Sequence, residues 1–151
     1  MSIVHCRVSS FECRVGSYIR VADVSNGPNL FDKSQTAMDN LQRRTRTFAV
    51  NVIRFCRTLP KDPESQVIRR QLARSATSVG ANYRAACHAR SCADFIAKLS
   101  IVEEEADESQ FWLELLGELE IGGLRRPELR EEARQIASIV VASKKTARKR
   151  L

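Results

Sequence analysis

Four long stretches of this chain repeat large apolar side chains every three or four residues, and only short breaks separate them. Leu41, Phe48, Val52, Phe55 and Leu59 share one face of the first, and Ile68, Leu72, Val79 and Tyr83 one face of the second. Phe95, Leu99, Val102, Ala106, Leu113 and Leu116 align in the third, and Leu129, Ala133, Ile136 and Val140 in the fourth. An apolar stripe at this period is the pattern of a helix with one buried face. Breaks of a few residues make consecutive helices antiparallel neighbours. The expected fold is all-α: an antiparallel up-down-up-down four-helix bundle over residues 39–151, with a basic C-terminal tail.

The breaks carry their own chemistry. The first helix, from Asn40, stops at Leu59 because the residue before Pro60 is pushed out of helical geometry. Asp62-Pro63-Glu64 reads as an N-cap, a proline at the first helical position and acid in the first turn of a helix running to about Arg90. Ser91 with Asp94 resembles a capping box with aspartate in the glutamate place, opening the third helix. Gly122-Gly123 is expected to end that helix, and Pro127-Glu128 to begin the fourth.

Residues 1–38 show no helical period. Short alternation from Tyr18 to Val24 and a turn-like Asn26-Gly27-Pro28-Asn29 allow a small hairpin, with too few apolar residues to stand alone. This extension is expected to be poorly structured, either a disordered tail or an artefact of the assigned start, with translation beginning at Met38.

No apolar run approaches the roughly 20 residues that a membrane span needs. The first residues lack a signal-peptide core. Five cysteines without framework spacing suit reduced thiols, so a cytoplasmic protein is expected.

The formal net charge of +7 favours an acidic partner, and it is unevenly distributed. Residues 40–59 hold five arginines and no acid, whereas residues 92–120 hold nine acids against Lys98 alone. Pairing between neighbouring helices accounts for most of the acid on the third helix. Glu105, at the edge of its core face beside Trp112, is a candidate partner for an arginine of an adjacent helix. The outward arginines of the first two helices are left over: Arg43, Arg46, Arg54 and Arg57, then Arg70, Arg74 and Arg84. On the second helix they alternate with Ala73, Thr77, Gly80 and Ala81, a strip of small residues that permits close approach. The closing Lys144-Lys145-Thr146-Ala147-Arg148-Lys149-Arg150 suits a phosphate backbone or a helix C-terminus equally well.

Catalytic and metal chemistry finds little support. Glu104 and Glu108 lack the Glu-x-x-His partners of di-iron bundles, and Glu104 points away from the core face. Cys87, His88 and Cys92 lack a fourth zinc ligand. No glycine-rich phosphate loop is present. No cofactor and no metal is expected. Val50, Ile53, Phe111 and Trp112 lie outside the core faces, and such residues mark a contact with another chain. They point to a homo-oligomer.

From Met38 onward the chain resembles the bacterial four-helix-bundle family of proteins encoded in intervening sequences of 23S rRNA genes. Its superfamily includes the accessory variability protein of diversity-generating retroelements. The resemblance rests on Gln71-Leu72-Ala73-Arg74-Ser75-Ala76-Thr77-Ser78-Val79-Gly80-Ala81-Asn82-Tyr83-Arg84-Ala85-Ala86. It extends over Ser91-x-x-Asp94-Phe95-Ile96-x-Lys98-Leu99 and Glu105-x-Asp107-Glu108-x-x-Phe111-Trp112-Leu113, about three quarters of the chain. Many relatives have proline where Gly80 stands. The resemblance implies a ring-like homopentamer with a basic surface; in the retroelement relative that surface engages nucleic acid and a reverse transcriptase.

The expectation is a non-catalytic, homo-oligomeric accessory protein that binds RNA or DNA backbone with little sequence preference. The alternative is a protein-interaction module whose arginines meet acidic helices of neighbouring subunits. A helical ribonuclease is a distant third. Arg84-x-x-x-His88 is one residue shorter than the Arg-x(4–6)-His pair of HEPN-type ribonucleases.

Overall fold

A computed structural model describes residues 30–121 and 126–149, with 30–37 as backbone. Four helices follow one another: α1 (Leu30–Cys56), α2 (Pro63–Cys87), α3 (Cys92–Glu118) and α4 (Pro127–Arg148). No strand occurs among the described residues. The expected N-terminal hairpin and Gly122-Gly123 lie outside the described residues.

Register contacts fix the antiparallel order. Gly80 of α2 backs onto Thr45 of α1, while Cys56 Sγ lies 3.8 Å from the Arg69 carbonyl oxygen. Between α3 and α4, Cys92 Sγ sits 3.6 Å from the Ala147 carbonyl, Lys144 bonds Glu103, and Arg130 lies 3.7 Å from Glu114. Each pair therefore runs in opposite directions. Of the adjacent pairs round the bundle, α1 and α4 touch least; there both Glu132 oxygens accept from Arg44 at 2.9 and 2.7 Å.

The caps act locally. Asp62 accepts the Ser65 N–H at 2.8 Å, with Pro63 at the first helical position. Ser91 Oγ accepts the Asp94 N–H at 3.1 Å, and the Asp94 carboxylate accepts the Arg90 N–H at 3.0 Å. The reciprocal half of the box thus reaches one residue further back than usual. The α1–α2 turn is held by Arg69, whose guanidinium donates to the Leu59 carbonyl at 3.0 Å and to that of Pro60.

The core gathers the four stripes. Phe48, Val52, Leu72, Val79, Tyr83, Phe95, Leu99, Val102, Ile136 and Val140 are essentially solvent-free. A buried hydroxyl pair joins α2 to α3: Ser109 Oγ lies 2.9 Å from Ser75 Oγ, which donates to the Leu72 carbonyl of its own helix.

Four helix limits differ from the sequence reading. Helix α1 ends at Cys56 and α2 at Cys87, each about three residues before the expected Leu59 and Arg90; the other two are the start of α1 and the end of α3. Helix α1 begins at Leu30, ten residues before Asn40, and so includes residues that were set apart in the N-terminal extension. Met38 is buried within it. Extending a helix adds one hydrogen bond per residue fixed and needs no new nucleus, so a segment without its own apolar stripe continues one that has it. Helix α3 stops at Glu118, before the two glycines, and Glu120 takes a left-handed φ of 51°.

Candidate functional site

The sequence-predicted arginines divide into two groups. Arg46, Arg54, Arg57, Arg70 and Arg84 are exposed, and none finds a side-chain hydrogen bond or ion pair among the described residues. All five border the seam between α1 and α2. Arg54 and Arg57 line a groove of about 300 Å³ with Ala49, Val50, Ile53 and Thr77. Arg46 is where α1 passes Gly80. Arg70, Thr77 and Arg84 recur every seven residues, two helical turns, and so fall on one stripe of α2. The groove thus has a small, apolar floor and cationic rims.

The remaining two point elsewhere. Arg43 donates to Asn40 at 3.0 Å and lines the cleft between α1 and α4 beside Glu128 and Glu132. Arg74 turns to the opposite flank of α2 and donates to both Glu108 oxygens at 2.7 and 2.8 Å. It also lies 3.6 Å from Glu105, the partnership the sequence pointed to. Burial pushes the Glu108 carboxyl up, but the Trp112 N–H at 3.1 Å and the Arg74 guanidinium outweigh it and hold it below the usual carboxylate range.

Gly80 does not belong to the outer strip. A Cβ there would lie 3.5 Å from the Thr45 carbonyl oxygen, so this position faces α1 across the α1–α2 contact. Thr77 and Ala81 are exposed, as the sequence reading has them. Ala49, which the outward-face reading omitted, belongs to the groove floor; its place one turn before Ile53 was the available signal.

Of the apolar residues expected at an interface, Val50 is 41% exposed and Phe111 53%. Ile53 and Trp112 are half-buried. Phe111 and Trp112 meet edge to face, centroids 4.9 Å apart.

These surfaces sit on a fold with known relatives. The family model for the 23S rRNA-intervening sequence protein matches residues 40–142. The chain belongs to that family. A crystal structure from Bacteroides thetaiotaomicron, described as a protein with unknown function from the S23 ribosomal protein family, is similar at 32% identity with a TM-score of 0.64. The similarity covers 72% of this chain and 97% of that one. No curated protein matches. The family match spans most of α1 and all of α2 and α3, so the arginine-bordered seam lies within the shared fold.

In this family member two of the three described thiols are kept protonated by burial. Cys56, Cys87 and Cys92 are free thiols, and burial pushes Cys56 and Cys87 up to about 11. A thiol so rarely ionised is a poor nucleophile and metal ligand. His88 is exposed and caps the end of α2, where its N–H bonds the Ala85 carbonyl. Among the described residues no group of His, Cys, Asp and Glu could hold a metal ion. None of the described helices is long and apolar enough to cross a membrane.

Proposed function

We propose that this protein is a non-catalytic, self-associating RNA-binding protein whose α1–α2 seam contacts the phosphate backbone. One observation carries the reading: Arg46, Arg54, Arg57, Arg70 and Arg84 border one seam without a partner among the described residues. Arg44, Arg69 and Arg74, by contrast, are engaged within the fold. An arginine fork matches two phosphate oxygens at once, and its charge persists at every physiological pH. Among the described residues the seam exposes no aromatic ring for base stacking, so contacts fall on the backbone and sequence preference is weak. The family's name ties it to 23S rRNA, and on that ground RNA is the polyanion chosen.

Fluorescence anisotropy with a short RNA of mixed sequence tests the proposal. Arg54→Gln, Arg70→Gln and Arg84→Gln together should weaken binding by about 10- to 1000-fold at low salt, since each lost phosphate contact removes a counterion-release contribution. The RNA should stay intact throughout. Unchanged affinity in the triple variant would rule the seam out, and cleavage of the RNA that persisted through further purification would favour an enzyme.

A further inference from the structure

The cleft between α1 and α4 is a second opening beside the arginine-bearing face of α1, and its polar groups are unused. It measures about 370 Å³, within the range of small-ligand sites. Phe48 and Leu129 line its floor. On α1, Arg43, Thr47 and Asn51 stand four residues apart along one edge, and Glu128 of α4 completes the lining. Thr47, Asn51 and Glu128 are exposed and find no partner among the described residues. Arg43 has only its local bond to Asn40. Arg44 and Glu132, also in the wall, satisfy each other. The cleft is left with one available guanidinium and one available carboxylate.

Register sets their spacing. Arg44 bonds Glu132, so one turn further along the antiparallel pair Phe48 and Glu128 stand level. Arg43 therefore lies about 7.5 Å from Glu128 along the axis, at roughly 1.5 Å per residue. A flat ring between the two must donate at one end and accept at the other. Guanine does so: N1–H and N2–H lie side by side on one edge, and O6 and N7 accept on another. Adenine puts an acceptor where the carboxylate needs a donor. Pyrimidines are too short to reach both groups.

We propose that the α1–α4 cleft takes one guanine base of a bound single-stranded RNA. Glu128 accepts from N1–H and N2–H, and Arg43 donates to O6 and N7. Thr47 and Asn51 remain for the ribose hydroxyls. This rests on the RNA-binding reading above, in which Arg46 and Arg54 hold the backbone on the other side of α1. A helix with its side chains is about 10–12 Å across, so one splayed nucleotide joins seam and cleft. Sequence preference along the seam stays weak; the cleft adds one position at which the base matters.

Fluorescence anisotropy at low salt tests this with short uridine RNAs carrying a single central guanine, adenine or cytosine. Wild type should bind the guanine RNA about 5- to 20-fold tighter than the others, the low end of what a bidentate base contact discriminates. Glu128→Ala should bring that ratio close to one. Glu64→Ala, which removes an exposed first-turn carboxylate of α2, should leave it unchanged. Both positions are exposed, and circular dichroism should show unchanged helicity. Equal wild-type affinity for the three RNAs, or a guanine preference that survives Glu128→Ala, would overturn the cleft assignment and leave the seam standing. GMP binding while the three RNAs bound alike would assign the cleft to a free nucleotide and overturn the proposal too. No RNA binding by any form would sink the RNA reading and this inference with it.

Discussion

The Arg74 guanidinium of α2 straddles the Glu108 carboxylate of α3, its Nη2 lying 2.7 Å from one oxygen and 2.8 Å from the other. The Trp112 indole N–H holds one of those oxygens from the other side at 3.1 Å. This pair decides where α2's charge goes. It takes Arg74 out of the outward basic surface and leaves Arg70 and Arg84, on the other flank, to face the seam.

Glu108→Gln should therefore have two opposite effects. Stability should fall by about 1 kcal/mol in urea unfolding, the usual size for a charge-assisted bond with one partner largely exposed. RNA affinity at low salt should rise, because Arg74 is released to solvent. A variant that weakened RNA binding while remaining folded would contradict this division of labour.

The same pair predicts a pH dependence. Glu108 has a folded-state pKa below its ordinary 4.5, so the unfolded chain takes up the proton first. Its contribution is complete above about pH 4.5 and disappears as pH falls through the lower folded value. The stability difference between wild type and Glu108→Gln should be constant from pH 7 to about 5 and shrink below about 4. A difference that grew on acidification would be the wrong sign.

Gly80 offers a test of the α1–α2 contact. A Cβ at this position meets the Thr45 carbonyl oxygen at 3.5 Å, an ordinary contact distance. Gly80→Ala should stabilise the protein by about 0.5–1 kcal/mol through helix propensity alone. Gly80→Leu should destabilise it by about 1–3 kcal/mol, because the extra atoms can fit only by parting the helices. Thermal unfolding of the two variants should shift in opposite directions.

What the sequence made legible follows the range of the interactions. Asp62, Pro63, Ser91 and Pro127 mark helix starts through bonds and backbone limits that act within one turn, and the structure has them in those places. The four apolar stripes likewise identify the core. Helix limits set by propagation were hidden: nothing local distinguishes the residues before Asn40, and α3 ends with a left-handed Glu120 where glycine would be chosen. The site was half visible. A helical wheel shows which arginines face outward, but Arg44 meets Glu132 and Arg74 meets Glu108 across 88 and 34 residues of sequence. Those partnerships depend on how the helices are rotated against one another, which no single stripe encodes.

The most direct measurement of the central claim is the salt dependence of RNA affinity, taken for wild type and for Arg54→Gln, Arg70→Gln and Arg84→Gln together. The wild-type logarithmic plot should be steep, and the triple variant's slope shallower by about 0.7–0.9 for each phosphate contact removed. A wild-type affinity that hardly changes between low and moderate salt, or equal slopes for the two proteins, would contradict the assignment of the α1–α2 seam to phosphate.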